Sequence, residues 1–316
     1  MYKLEVSFLH ILKNSKYIIN NIKEEKNNII TDNIKEAKYF FIPHFTTFIF
    51  HKYSLNEETK FFDRNHEKHN NYLKNIINYI NNNYNDNFKK NIKKHILCFE
   101  WDKGYKNLND ENQKVFKNCI KLQYNNFNKK ERIIQVPVCL KNEKLNIKNK
   151  DKFVFGAGSI YEDLNYSKGF RQRLIYLKKN KRFSNKMLIF FPGVNRNDYD
   201  NYCKTTKYIL CPEGWTSWTP RIYESLLFKS IPVLLSNDFN IPFSNLINLE
   251  EGIIRIRNID DLDNLEEIIN KNDINYNKKQ KFWEKNRNKL LWNYDKKLNE
   301  QEVGILILKF LKKFNL

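Results

Sequence analysis

Apolar residues along this chain fall into short runs separated by long polar stretches, and the runs differ in period. Within Ile34 to Phe50, Tyr39-Phe40-Phe41-Ile42-Pro43 is unbroken, aromatic and closed by proline, which predicts a buried strand. Glu57 to Lys94 is rich in Asn and Lys but carries Leu73, Ile76, Ile77 and Ile80 at helical spacing, so a helix with one buried face is expected there. His95-Ile96-Leu97-Cys98-Phe99 predicts a second strand, followed by the polar loop Glu100-Trp101-Asp102-Lys103-Gly104. Ile133-Ile134-Gln135-Val136-Pro137-Val138 predicts a third.

Lys141 to Lys152 is almost entirely Lys, Asn and Glu and reads as a linker. Beyond it a second series begins. Phe153-Val154-Phe155 runs into Gly156-Ala157-Gly158, Phe170 to Lys179 predicts a basic helix, and Met187 to Phe191 a strand. Tyr208 to Cys211 predicts another strand, Pro220 to Phe228 a helix, and Ile231 to Leu235 a strand. The tail from Lys278 to Leu316 reads as long and helical, with an apolar face of Val303, Ile305, Leu306, Leu308, Phe310 and Leu311. Strands alternating with helices predict α/β architecture with parallel sheets. The expected division is 1–150, 151–277 and a helical tail, 278–316, packing back across both.

Composition changes this picture little. A chain of 316 residues has length for two ordinary domains, and 15% aromatic residues argue against disorder. The net charge of +20 suits a nucleic-acid-binding protein, which is the competing functional class. However, roughly fifty Asn and an excess of Lys and Ile are spread along the whole chain, as compositional bias produces. The one basic run with an aromatic, Lys178-Lys179-Asn180-Lys181-Arg182-Phe183, is short, so nucleic acid is disfavoured as a partner. The cysteines Cys98, Cys119, Cys139, Cys203 and Cys211 show no metal-ligand spacing and are expected to be reduced and buried. No apolar stretch reaches the length of a membrane span, and Lys3, Glu5, His10 and Lys13 interrupt Met1 to Tyr17, so no signal peptide is read there. The expected location is cytoplasmic.

Candidate chemistry concentrates between Lys207 and Ser236, a strand, a glycine loop, a helix and a second strand. Thr219 is placed to cap the helix and Pro220 to occupy its first position. Such a start turns unpaired N–H groups toward the loop, where a phosphate fits. Arg221 in the first turn offers a bidentate cation. Glu224 lies three residues on, on the same face, where a carboxylate can accept both hydroxyls of a ribose. The plain alternative is ordinary capping with an Arg221–Glu224 ion pair. There is no GxGxxG and no Walker sequence, which leaves dinucleotide and ATP readings unsupported.

This segment resembles the exostosin family of glycosyltransferases. The resemblance rests on Cys211-Pro212-Glu213-Gly214, Arg221-Ile222-Tyr223-Glu224, Ser230-Ile231-Pro232-Val233 and Asn240-Ile241-Pro242-Phe243, in that order. Weaker matches are Ala37 to Pro43, His95 to Gly104, and Phe153 to Gly158 followed by Arg171. Ser230 and Lys229 depart from the family pattern, and Met1 to Phe8 matches its first strand poorly.

The resemblance implies a GT-B fold, two facing Rossmann-like domains, and inverting transfer of a sugar from a nucleotide sugar, expected to be a UDP-sugar. A glycan or other hydroxyl is the implied acceptor, and neither cofactor nor metal is expected. The nearest metal-type motif, Asp261-Leu262-Asp263, falls in a polar, helix-like stretch. The donor residues implied are Arg221 for the diphosphate, Glu224 for the ribose and Gly214 for close backbone approach. Glu213 and Tyr223 lie in the same motifs and Thr219 just before the second, with Arg171 and Arg173 as further phosphate candidates. For the base that activates the acceptor, Asp102 leads, followed by Glu100 and His44. Trp215 and Trp218 flank the loop and could stack on sugar or base, or simply pack in the core. An inactive sugar-binding relative and a fucosyltransferase-like enzyme using GDP-fucose remain as alternatives.

Overall fold

The computed structural model describes residues 37–44, 67–84, 87–125, 131–138, 149–239, 241–292 and 302–312, with 35, 140 and 314. The chain divides into two compact units, Met1–Cys139 with Tyr294–Leu316, and Leu140–Asn293. The division thus precedes the expected boundary at residue 150, and the segment 278–316 is shared between the units. Most of the expected linker, 141–148, lies outside the described residues, as do Met1 to Tyr17.

The first unit holds a parallel sheet of four strands in the order β1 (Phe40–Phe41), β2 (His95–Phe99), β3 (Ile120–Gln123), β4 (Ile133–Gln135). Strand β2 is buried along its whole length, as an unbroken apolar run requires when both faces are covered. Strand β1 is shorter than expected, although Ile42 still donates to the carbonyl of Ile96 at 3.0 Å. Strand β4 stops before Pro137, which has no N–H for a ladder.

The helix expected over 57–94 is α1 (Glu67–Asn83), followed by the single turn α2 (Asn87–Lys90); residues 57–66 lie outside the described ones. Helix α3 (Asp110–Phe116) is started by Asn109, whose side chain accepts from the N–H of Asn112 at 3.0 Å.

Strand β3 was not expected, because its sequence Ile-Lys-Leu-Gln hides a buried lysine. Lys121 is fully buried, and its Nζ donates to the carbonyls of Phe116, Lys117 and Cys119 at 3.2, 2.8 and 3.0 Å. These include carbonyls at the end of α3, where a cation suits both the unpaired acceptors and the helix dipole.

The second unit holds five parallel strands in the order β6 (Met187–Phe190), β5 (Lys152–Ala157), β7 (Thr206–Pro212), β8 (Ile231–Leu235), β9 (Ile254–Ile256). Helices α4 (Phe170–Lys179), α5 (Arg196–Thr205) and α6 (Arg221–Leu227) connect β5 through β8. They are followed by α7 (Leu265–Asp273) and α8 (Tyr276–Asn286). Chain order therefore reverses between β5 and β7, the mark of a doubly wound sheet. Helix α5 was not expected. Tyr202 fixes it by stacking on Phe155 and Phe190 at 5.1 and 5.3 Å, and Tyr199 meets Phe155 edge-on at 5.4 Å.

The tail is not one helix. Helix α8 ends at Asn286 in the 3-10 turn Arg287–Lys289, and α9 (Glu302–Lys312) is a separate helix. Its buried residues Val303, Ile307 and Leu311 recur every four positions.

Candidate functional site

Ligands of doubly wound sheets bind beyond the carboxyl ends of the strands, where the order reverses. In the second unit that place is the end of β5, at Ala157 and Gly158, beside the end of β7, at Pro212 to Gly214.

Two arginines converge there. Arg221 donates from Nε to the carbonyl of Ala157 at 2.7 Å and from Nη1 to Oγ1 of Thr219 at 3.3 Å. Arg171 donates from Nη1 to the carbonyl of Ser159 and the hydroxyl of Tyr166, at 2.8 and 2.7 Å. Its Nη2 reaches the carbonyls of Pro212 and Glu213 at 3.3 and 3.2 Å. Gly158 (φ +150°) lies between the two: a β-carbon there would collide with Nη2 of Arg221 and stand 3.2 Å from Nη1 of Arg171.

The pairing of like charges has an electrostatic cost. Burial first, and then the charge of Arg221, pull the pKa of Arg171 down to about 10. Burial also works against the charge on Arg221, but Tyr199 and Glu224 outweigh it and its pKa is raised. Both guanidiniums remain charged at neutral pH, and an anion would relieve their repulsion. Nε of Arg171 is buried with no hydrogen-bond partner.

Thr219 does not cap α6. Its hydroxyl is taken up by Arg221, no side chain caps the helix, and the carbonyl of Pro220 receives the N–H groups of Tyr223 and Glu224 at 3.0 Å each. Arg221 and Glu224 turn to different partners instead of pairing within the helix. Oε2 of Glu224 accepts from the hydroxyl of Tyr199 at 2.5 Å, and Oε1 lies 3.9 Å from Nη1 of Arg196. Burial first, then the charge of Glu224, hold the Tyr199 hydroxyl well above its ordinary pKa, so it stays a donor. Tyr223 is buried, its pKa raised by that burial.

Other expected residues sit differently. Arg173 points away from the pair and places Nη2 2.7 and 2.6 Å from the two carboxylate oxygens of Asp263. Two residues along a helix turn a side chain by about 200°, so Arg171 and Arg173 cannot share a target. Gly214 has an ordinary φ, and a β-carbon on it would come no closer than 3.9 Å to the carbonyl of Trp218. The glycine whose missing side chain the site depends on is Gly158. The sequence carries that signal in the strand-ending Gly156-Ala157-Gly158, outside the motifs that point to the site. Trp218 is buried, whereas Trp215 is 39% exposed.

In the first unit, Asp102 lies partly exposed in the turn after β2, and Glu100 and His44 are buried. Nε2 of His44 accepts from the N–H of Cys98 at 3.2 Å, so that nitrogen is committed to the backbone. Among the described residues no three His, Cys, Asp or Glu gather in a metal-binding group. No described helix is long and apolar enough to cross a membrane. Among the described residues Cys98, Cys119, Cys203 and Cys211 are buried and form no disulfide; Cys139 lies outside the described residues.

The chain is thus an α/β protein of two units, each built on its own parallel sheet, with two arginines converging at the strand-order reversal of the second. The Exostosin GT47 domain model matches residues 1–271, and the chain belongs to that family of glycosyltransferases. Among its relatives is "Probable glucuronosyltransferase GUT1" of Oryza sativa subsp. japonica, 28% identical over 123 residues, 37% of this chain and 28% of that protein. Another is "Probable beta-1,4-xylosyltransferase IRX10" of Arabidopsis thaliana, 30% identical over 105 residues, 31% of this chain and 24% of that protein. The matched region spans about a quarter of the length of these relatives. A solved structure titled "Crystal Structure of TarM" aligns with 71% of this chain and 55% of its own, at 14% identity and a TM-score of 0.36.

Proposed function

We propose that the chain is an inverting glycosyltransferase that binds a UDP-sugar at the β5–β7 reversal and transfers the sugar to a glycan hydroxyl without a metal ion. The observation that carries this reading is the meeting of Arg171 and Arg221 at Gly158. A nucleoside diphosphate leaving group develops charge as the glycosidic bond breaks, and two fixed guanidiniums supply the stabilisation a divalent cation provides elsewhere. Glu224, oriented by Tyr199, accepts the ribose hydroxyls. Asp102 takes the proton from the acceptor hydroxyl. The relatives named as glucuronosyltransferase and xylosyltransferase support transfer of a sugar.

Thermal unfolding with UDP- and GDP-sugars, in EDTA and then with Mn²⁺, tests this reading. A ligand that binds only the folded chain raises the midpoint. The expected result is a rise with a UDP-sugar in EDTA that Arg221→Ala abolishes. No rise with any nucleotide sugar, or one that depends wholly on Mn²⁺, overturns it.

A further inference from the structure

An exposed aromatic and polar cluster adjoins the site at Arg171. Trp215 packs on Tyr161 and Tyr166 with ring centroids 5.4 and 5.0 Å apart, and Tyr161 and Tyr166 meet edge-on at 4.7 Å. The guanidinium of Arg171 lies over the ring of Tyr166 at 4.7 Å. Tyr161 and Trp215 both present surface to solvent.

Two residues beyond Tyr166, Lys168 places Nζ 3.0 Å from Oδ2 of Asp238 and 3.5 Å from Oε1 of Glu213. Glu213 is 1% exposed; its Oε2 accepts from Ser236 at 2.9 Å, while Oε1 has no hydrogen-bond partner. The N–H of Ser167 donates to the carbonyl of Gly214 at 2.9 Å, tying the turn that carries Lys168 to the loop that carries Trp215.

A solvent-facing tryptophan next to a charged donor–acceptor pair is the equipment that holds a sugar ring. The ring's C–H face lies on the indole, while its hydroxyls give to a carboxylate and accept from an ammonium. Glu224 lies one turn along α6 from Arg221, and from Arg221 the contacts run past Gly158 and Arg171 to the carbonyl of Glu213, whose carboxylate faces Lys168 and, through it, Asp238. With ribose at Glu224 and diphosphate at the arginines, the next group along is the sugar.

We propose that Trp215 and Tyr161, with the Lys168–Asp238 pair seated on Glu213, form the subsite for the transferred sugar, and that this sugar is uncharged, a hexose or pentose. Lys168 is already matched by two carboxylates, so a hexuronate would add a third negative charge. This inference rests on the proposed donor site.

Calorimetric titration of the full chain with UDP, UDP-glucose, UDP-xylose and UDP-glucuronate tests it. A neutral UDP-sugar is expected to bind about tenfold more tightly than UDP-glucuronate, the equivalent of one charge-assisted hydrogen bond. Trp215→Ala and Asp238→Asn alter exposed side chains and are expected to weaken that sugar's binding about tenfold while leaving UDP within about twofold. Glu213→Gln serves as a third variant that keeps the buried shape. Equal or tighter binding of UDP-glucuronate overturns the inference. So does equal weakening of UDP and UDP-sugar, which would put the base on Trp215. Failure of UDP itself to bind, or binding indifferent to Arg221→Ala, overturns the donor site and this inference together.

Discussion

Nη2 of Arg221 occupies the space where a β-carbon on residue 158 would stand, so the strand-end glycine and the first-turn arginine are fitted to each other. Gly158→Ala is therefore expected to displace the guanidinium, with backbone strain added at φ +150°. Nucleotide affinity should fall at least about tenfold, as for loss of one charged hydrogen bond, while the circular dichroism spectrum is unchanged. Titration with UDP reads the first quantity, and undiminished affinity would remove Gly158 from the site.

Glu224 carries the ribose in this reading, and 2′-deoxy-UDP isolates that contact. The wild-type chain should prefer UDP to the deoxy form by about tenfold, and Glu224→Gln should abolish the preference. Tyr199→Phe removes the 2.5 Å hydrogen bond that orients the carboxylate and should lower the preference only in part. A preference that survives Glu224→Gln would place the ribose elsewhere.

Asp102→Asn separates chemistry from binding. Removing a general base is expected to lower kcat by about 10²–10⁴-fold. Donor affinity in the same variant should remain at the wild-type value. A fully active Asp102→Asn enzyme would pass the role to Glu100, since His44 already gives Nε2 to the backbone.

His95 makes the first unit sensitive to acid. The ring is buried against Phe40 and Phe88, and its Nδ1 lies 2.9 Å from the carbonyl of Asn91. Burial lowers its pKa from 6.5 to about 4. Between these values the unfolded chain takes up a proton that the folded chain refuses, so this stability is present above pH 6.5 and lost as pH falls toward 4. The loss is on the order of 3 kcal/mol. Urea unfolding at pH 7 and pH 4.5 should show it in the wild type and a smaller acid loss in His95→Phe; equal losses would refute the assignment.

Lys121 is a structural cation. Lys121→Met strips three carbonyls of their partner and is expected to cost about 3 kcal/mol, against less than about 1 kcal/mol for an exposed lysine such as Lys74. Urea midpoints of the two variants give the comparison.

Strands whose neighbours cover both faces were legible, because burial on two sides demands an unbroken apolar run. Strands β2 and β8 and helix α4 have the spans the pattern predicts. Strand β3 was hidden, since its polar Lys121 and Gln123 break the apolar run and are satisfied in the interior by backbone carbonyls just outside the strand. Helix α5 was hidden because its few apolar contacts are tyrosines, whose polar tips blur a helical period.

By itself the sequence determined the alternation of strands and helices, the loop before α6 and the candidacy of Arg221 and Glu224, because these follow from local spacing. Tertiary structure alone decided that Arg171 joins Arg221 while Arg173 turns to Asp263. It also set Trp218 in the core and Trp215 at the surface, and made Gly158 the glycine on which the arginines depend. Each of these choices hangs on which strand lies next to which. The reversal between β5 and β7 brings together residues more than fifty positions apart, a neighbourhood no local pattern can express.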